Sequence, residues 1–203
     1  MDGLLAEARG LRERLKLHVV IVCRVFDWEN DHRLRRMVPT QHAKIEVTEF
    51  TPEEVRVVLS AVDFRIELLQ PRQLELLRLP QNLSLFLDAG FNPATAPKFN
   101  TAKELFDRYW DTKRRAVNER AAPLTDQWIP IIELLCEEMT RTQQLSVPRE
   151  KLDPFAIDYV AQMASEGVLT FDGKHYGFGH ESFFDYCFAR AFVAKDQSLL
   201  RIT

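Results

Sequence analysis

The chain has 203 residues, of which 46% are hydrophobic and 28% are charged, and its net charge is −3. This composition is typical of a folded, soluble protein and excludes a disordered chain, and no apolar run approaches the roughly 20 residues that span a membrane. A slightly acidic chain also lacks the overall positive charge that attracts nucleic acid. Its length is sufficient for one large or two small domains.

The three cysteines, Cys23, Cys136 and Cys187, lie far apart in apolar contexts and form no CxxC pair. An odd number of thiols without a pairing pattern is typical of reduced, buried cysteines in the cytosol. The first residues, MDGLLAEARGLRERLK, have mixed charge and a helical apolar spacing, so they are not a signal peptide. We therefore expect a cytoplasmic protein.

Residues 1–51 have the pattern of an incomplete α/β domain. LHVVIVCR at 17–24 is a β-branched apolar run, typical of a strand buried on both faces of a parallel sheet. KIEVTEF at 44–50 predicts a second strand nearer the edge, and helices are predicted at 4–16 and near 29–37. Two strands make a poor parallel sheet, so we expect further strands from polypeptide outside this chain. None of the seven glycines forms GxxxxGK[ST] or GxGxxG, so a phosphate-cradling loop would also lie elsewhere.

Residues 52–122 predict a helical domain. Its first helix has a strong start, with Thr51 as the N-cap, Pro52 at the first helical position and Glu54 three residues after the cap. Short helices are expected at 52–62 and 65–70. Further along, Pro80 separates one amphipathic run from the next.

A longer helix is predicted from Thr101, the N-cap, with Glu104 as its capping-box partner. Its apolar stripe consists of Leu105, Phe106, Tyr109 and Trp110. The run Lys113-Arg114-Arg115 is expected on the solvent-exposed face of this helix.

Residues 123–195 have the element order of a winged helix: helix, short strand, helical turn, helix, hairpin and helix. Asp153 as N-cap, Pro154 at the first position and Gly167 at the C-terminus delimit the third helix. Asp172-Gly173 predicts a type I′ hairpin turn, which would form the wing. Residues 196–203 are assigned to a tail.

A winged helix raises the possibility of DNA binding, in which the helix at 154–166 would enter the major groove. This helix carries Asp158 and Glu166 but no lysine or arginine, and the hairpin offers only Lys174 and His175. Because attraction to phosphate supplies much of the affinity for DNA, the pattern favours a packing module over a DNA reader.

Three motifs, in this order, carry a resemblance to a known family. VVIVCR resembles a sensor strand that ends in an arginine, RLPQNLSLFL resembles the proline-bearing motif of a helical lid, and FGHESFFDYCFAR resembles the histidine motif that closes a winged helix. Over residues 15–195 the chain looks like the C-terminal half of a STAND-class signal-transduction ATPase, near the NACHT-type and prokaryotic defence-related members. It departs from that pattern in lacking a P-loop and an acidic Walker B strand, and in having Arg78 where a glycine is usual.

The resemblance implies an α/β remnant followed by mainly α structure. Residues 1–51 would be the C-terminal part of a nucleotide-binding domain with a partial parallel sheet. A helical lid at 52–122 and a winged helix with a small β-hairpin at 123–195 would follow.

Three residues are the candidate ligands of a nucleotide. Arg24, at the carboxyl end of a predicted strand, is placed to reach phosphate oxygens, or alternatively to pair with Asp27 or Asp31. In the resembling family the proline matching Pro80 packs near the nucleotide base, and its ring would leave a carbonyl unpaired in the preceding turn; alternatively, it only breaks a helix.

His180 is the third candidate, at the start of a helix whose N–H groups and dipole favour an anion. Gly179 before it would allow a sharp turn of the backbone. The residues expected to bury this helix on a broad face are Phe183, Phe184, Cys187, Phe188, Ala191 and Phe192. His180 would donate a hydrogen bond to a phosphate oxygen; the alternative is a core histidine bonded to Glu181 or to a backbone carbonyl.

These residues predict a switch rather than a catalytic centre. With ADP bound, His180 would tie the winged helix to the nucleotide domain, and exchange for ATP would let the third part rotate. The resemblance implies ATP or ADP with Mg²⁺ in the complete protein, a P-loop subdomain as partner, and self-association on activation. This chain alone carries no predicted catalytic residue or metal site. The alternatives are a nucleotide-independent interaction module and, with less support, a DNA-binding regulator.

Overall fold

The computed structural model describes residues 22–23, 25–30, 32 and 44–194. The chain divides into two compact units, Met1–Val47 and Thr48–Thr203, and each is described by itself. In the first unit the described residues form helix α1, Val25–Asn30, so this helix begins before the predicted position near 29. The predicted helix at 4–16 lies outside the described residues.

Of the two strands predicted for the parallel sheet, one lies mostly outside the described residues and the other is not formed. Most of 17–24 lies outside the described residues; Val22 and Cys23 are described, belong to no strand and are exposed, so the expectation that Cys23 is buried was wrong. The strand predicted at 44–50 was also wrong, because this segment has no regular secondary structure and Ile45 is 86% exposed. At its end, the N–H of Phe50 donates to the carbonyl of Arg78 at 2.7 Å instead of joining a strand.

The prediction that residues 52–122 are mainly helical is confirmed. The elements are α2 (Pro52–Ser60), a 3-10 helix (Ile66–Leu68), α3 (Pro71–Leu77), α4 (Pro80–Asp88) and α5 (Ala102–Ala121). A proline occupies one of the first two positions of α2, α3 and α4, where the missing N–H has no intrahelical partner in any case.

Two predicted caps are confirmed. Thr51 accepts a hydrogen bond from the N–H of Glu54, whose carboxylate accepts from the N–H of Thr51, so the capping box of α2 is complete. Thr101 accepts from the N–H of Glu104 at the start of α5. Here the Glu104 carboxylate accepts from the N–H of Asn100 rather than of Thr101.

Residues 123–194 contain three helices and a small sheet. The elements are α6 (Trp128–Thr142), β1 (Val147–Pro148), a 3-10 helix (Arg149–Leu152), α7 (Ile157–Ser165), β2 (Leu169–Phe171), β3 (His175–Phe178) and α8 (Glu181–Ala194). The sheet has the order β1-β3-β2 with both pairs antiparallel. Val147 faces Tyr176, and Thr170 faces Gly177.

Two local predictions in this region were wrong. Helix α7 begins at Ile157, so Asp153 is not its N-cap; the N–H of Ala156 donates instead to the side-chain oxygen of Gln127, 29 residues earlier in the chain. The hairpin loop consists of Gly173 and Lys174, because Phe171 pairs with Tyr176. Of these two loop residues only Gly173 has a positive φ, of 97°. A type I′ turn requires a positive φ at both of its central residues.

Buried side chains form two clusters in residues 48–194. We call the first the α2–α5 cluster; it contains Val55, Leu59, Phe64, Leu77, Leu83, Phe86, Phe99 and Leu105. The second, the α5–α8 cluster, is larger and has Trp128, Tyr109, Tyr159, Ile131 and Phe183 among its fully buried members. Helix α4 contributes to both clusters, with Phe86 in the first and Leu85 in the second.

Candidate functional site

His180 lies directly before α8 and places its ring among three helices. The carbonyl of His180 accepts a hydrogen bond from the N–H of Phe183 at 2.9 Å, which starts the helix. The imidazole packs edge to face against Tyr109 of α5, with ring centroids 5.9 Å apart. Its Nε2 lies 3.5 Å from Oδ2 of Asp88, the last residue of α4. The side chain of His180 is 25% exposed, so it is both supported and accessible.

The aromatic residues of α5 hold α8, and with it His180, in place. Phe183 is fully buried and packs against Tyr109 at 4.9 Å between ring centroids, with Phe106 and Trp110 also in contact. This confirms that the stripe predicted on α5 is a core face. Tyr186 of α8 adds a hydrogen bond to Asp107 at 2.7 Å.

The buried face of α8 is narrower than predicted. Phe183 and Cys187 are buried, whereas Phe184, Phe188, Ala191 and Phe192 are half-buried. The half-buried Phe184, Phe188 and Phe192 follow one another along the helix, with centroids 6.2 Å and 6.4 Å apart, and the first two pack against the α5–α8 cluster.

Gly179 is required for a reason that the sequence did not indicate. The chain bends at Gly179, as expected, but without a positive φ. A Cβ at this position would lie 2.1 Å from the carbonyl oxygen of Gly167, because the N–H of Gly179 donates to Val168 at 2.9 Å. Glycine thus permits the close approach of two backbone segments directly before His180.

Asp88, Tyr109 and Lys113 form the electrostatic surroundings of His180. Burial raises the pKa of the Tyr109 phenol, and the negative charge of Asp88 raises it further. The Lys113 ammonium lies 5.6 Å from the centroid of the Tyr109 ring. Sequence reasoning missed Asp88 and assigned Tyr109 only to the core; the one available signal was an acidic residue at the C-terminal end of a helix, where the dipole disfavours it.

Pro80 lies at the opposite end of α4 from the residue that contacts His180. It is in the first turn and half-buried, whereas Asp88 ends the same helix. Eight residues at about 1.5 Å each separate the two by about 12 Å along the axis. The carbonyl expected to be unpaired before Pro80 is satisfied, because the side-chain amide of Asn82 donates to the Leu76 oxygen at 2.8 Å.

Two other basic residues singled out in the sequence bind carboxylates. Arg78 donates to the carbonyl of Phe50 at 3.0 Å and pairs with Glu75 at 2.7 Å. Arg114, expected on the solvent-exposed face of α5, pairs with Asp126 at 2.6 Å. Both side chains thus stabilise the fold.

Asp126 is the centre of a polar network that joins α5, α6 and α7. Its carboxylate accepts hydrogen bonds from Arg114, from the N–H of Trp128 and from the Tyr159 hydroxyl, which also lies within hydrogen-bond distance of the Asn118 side chain. Partial burial raises the pKa of Asp126, but these hydrogen bonds outweigh that effect, and the net pKa lies below its ordinary value. The network is structural, because each of its groups has a partner within the protein.

Arg24, the remaining candidate ligand, lies outside the described residues. Among the residues that the structure describes, no group of three or more histidine, cysteine or acidic side chains could hold a metal ion. None of the described helices is long and apolar enough to cross a membrane. No protein-family model, curated protein or solved structure matches this chain.

Proposed function

We propose that this chain is the helical lid and winged-helix part of a STAND-type signalling switch operated by ATP and ADP. In this proposal His180 contacts a phosphate of ADP and holds the resting state. The observation that carries the proposal is the position of His180: a partly exposed imidazole at the N-terminus of a 14-residue helix, supported by a buried tyrosine. Both the ring and the positive end of the helix dipole are suited to a phosphate group.

The order of elements in residues 128–194 supports the winged-helix part of the proposal. A helix, a short strand, a helical turn, a helix, a hairpin and a final helix follow one another, and the central strand of the sheet is β3. The β2–β3 hairpin, with Gly173 and Lys174 at its tip, is then the wing.

The packing of α5 against α8 limits which movement a switch of this kind can make. Phe183 is enclosed by aromatic rings of α5, and the α5–α8 cluster continues through both helices. Separating α8 from α5 would expose these side chains to water at a cost of several kcal/mol. We therefore infer that α5 moves together with α8 on nucleotide exchange.

The residues described here fit one phosphate group rather than a whole nucleotide. His180 and the first N–H groups of α8 are suitable for that group, while Pro80 is at the far end of α4. The nucleotide and its Mg²⁺ would be held chiefly by the P-loop subdomain of the complete protein. The switch would then signal by self-association, as the resemblance implies.

The direct test measures ADP affinity in a protein that joins this chain to its P-loop subdomain. Substituting His180→Ala should weaken ADP binding by about tenfold, since a hydrogen bond to a charged group contributes about 1.5–3 kcal/mol. His175→Ala is the matched control, because His175 also faces an aspartate, at 3.3 Å, but lies on the hairpin. Unchanged ADP affinity in His180→Ala rejects the proposal. By calorimetry, the present chain alone should bind ATP weakly or not at all.

A nucleotide-independent interaction module is the second candidate, because several apolar side chains face solvent. Ile157 is 63% exposed and Val193 is 77% exposed. Binding of a protein partner that is insensitive both to ADP and to His180→Ala would favour this function. DNA binding has less support, since Glu166, which follows α7, pairs with Arg120 and the helix itself has no cation. A gel shift at varied salt tests it.

A further inference from the structure

The contact between Asp88 and His180 joins the ends of two helices. Asp88 is the last residue of α4, and His180 directly precedes α8. The carboxylate oxygen lies 3.5 Å from the imidazole Nε2, and the two side chains are 44% and 25% exposed. Thr112 of α5 supports the same end of α4 by donating its hydroxyl to the carbonyl of Ala89 at 3.0 Å.

Each of these two side chains lies at the unfavourable end of its own helix. The C-terminus of a helix carries partial negative charge and the N-terminus partial positive charge. A carboxylate at the end of α4 is therefore disfavoured there, and so would be a positive charge at the start of α8. The contact between the two side chains offsets this local cost. It places the Asp88 carboxylate near the positive end of α8 and the His180 imidazole near the negative end of α4.

Asp88 is a carboxylate within ion-pair distance of His180, and groups of α5 and α8 surround the pair. From α5, the buried Tyr109 ring supports the imidazole, and Lys113 lies over that ring. From α8 itself, Glu181 follows His180 directly and is exposed. An external phosphate that approaches the imidazole would thus meet the carboxylate of Asp88.

Building on the proposed function of His180, we propose that Asp88 is its internal anion: it positions the imidazole and has to be displaced before a phosphate group can bind there. Asp88 acts through His180 and is a positioning residue. Asp88 makes the site selective, because a ligand has to interact with His180 more strongly than the Asp88 carboxylate does. The ligand also has to overcome electrostatic repulsion by that carboxylate. The ligand class is a phosphate group, whether free as pyrophosphate or carried by a nucleoside diphosphate.

The test uses the full 203-residue chain and follows the His180 ring by NMR during titration with pyrophosphate. The signal is assigned by its loss in His180→Ala. Asp88→Asn should raise the affinity by about five- to tenfold, because it removes a full negative charge within about 4 Å of the ring nitrogen. Asp88→Glu keeps the negative charge, so its pyrophosphate affinity should stay nearer to that of the wild type. Asp172→Asn, which removes the carboxylate beside His175, should leave the response of His180 unchanged.

The outcomes separate this inference from the proposed function. If His180→Ala weakens ADP binding in the longer protein but Asp88→Asn leaves pyrophosphate affinity unchanged or lower, the inference is overturned and the proposed function stands. If ADP binding is insensitive to His180→Ala, the proposed function fails. Absence of a His180 response in both wild type and Asp88→Asn at millimolar pyrophosphate also overturns the inference. Repeating the titration with ADP shows whether the nucleoside contributes to binding. If Asp88 acts only on the phosphate group, Asp88→Asn should raise the affinities for pyrophosphate and for ADP by the same factor.

A second measurement needs no ligand. Asp88→Asn and His180→Ala should each lower the urea midpoint of unfolding, and the double substitution should lower it by less than the sum of the two shifts. Full additivity would show that the two side chains do not interact, and this too would overturn the inference.

Discussion

The two hydrophobic clusters of residues 48–194 are built by different kinds of contact. In the α2–α5 cluster, the first helices are delimited by caps that span three residues, Thr51 with Glu54 and Gln70 with Gln73. In the α5–α8 cluster, the decisive contacts join distant parts of the chain, as between Tyr159 and Asp126. Distant contacts also occur in the first region, where the Gln73 amide donates to the carbonyls of Pro97 and Phe99, so the regions differ in how their helices start rather than in whether tertiary packing holds them.

This difference matters because the candidate site is tied to the second region. His180 rests on Tyr109, which belongs to the α5–α8 cluster. Its partner Asp88 lies on α4, which contributes to both clusters. Substitutions in the α5–α8 cluster should thus disturb stability and the site together, whereas loss of a cap on α2 should affect stability alone.

The largest expected effect is that of Phe183→Ala. This fully buried ring packs against three aromatic residues of α5, and its removal should lower the free energy of unfolding by about 3–5 kcal/mol. Urea unfolding followed by the fluorescence of Trp110 and Trp128 measures the change. Phe171→Ala is the control, since Phe171 is 43% exposed and should lose less than half as much. Equal losses of unfolding free energy in Phe183→Ala and Phe171→Ala would mean that the packing of α5 against α8 contributes no more to stability than an exposed ring does.

Gly179→Ala should have the next largest effect. The new Cβ would meet a backbone oxygen of Gly167 at 2.1 Å, which no side-chain rotation relieves, so we expect a loss of about 3 kcal/mol in unfolding free energy. The His180 ring signal should shift as well. At Gly173 a Cβ meets nothing within 4 Å and only the positive φ opposes it, so Gly173→Ala should lose about 1–2 kcal/mol. A smaller loss for Gly179→Ala than for Gly173→Ala would contradict the close approach.

Asp126→Asn tests the polar network and its dependence on pH. Replacing the carboxylate should lower the free energy of unfolding by about 1–3 kcal/mol at pH 7. Because the pKa of Asp126 is lower in the folded state than in the unfolded chain, its contribution is present above the ordinary aspartate range and is lost as the pH falls through the folded pKa. Chemical unfolding between pH 7 and pH 3 should show a shallower loss for Asp126→Asn than for the wild type. Parallel pH profiles would argue against the network.

Thr51→Ala should have the smallest effect. It removes the N-cap of α2 and should lower the free energy of unfolding by about 1 kcal/mol. Thr48→Ala, three residues earlier in an exposed segment, is the control and should change it by less than about 0.5 kcal/mol. The His180 ring signal should not move in either variant, and a shift in Thr51→Ala would show that the α2–α5 cluster also sets the site.

The sequence predicted elements best where the signals are close together in the chain. The helix start at Thr51, the break at Pro80 and the long helix from Thr101 were all found in this way. The position of His180 at a helix start was found too, because Gly179 and the aromatic run that follows form a compact pattern.

Prediction failed where a distant residue supplied the partner. At the start of α7 the N–H of Ala156 donates to Gln127, and Asp153 is not the cap; the N–H of Phe50 donates to Arg78 rather than to a neighbouring strand. In both cases the local pattern was plausible, but a backbone group was satisfied by an element that the pattern could not locate.

The amino-acid sequence by itself determined where most helices of residues 48–194 begin and end, and which face of α5 is buried. The reason is that caps, prolines and apolar spacing act over three or four residues. Only the tertiary structure decided that His180 meets Asp88 and Tyr109, and that Gly179 has to pass close to Gly167. Those contacts join residues from 12 to 92 positions apart, and they form only because burial of the aromatic core brings α4, α5 and α8 together.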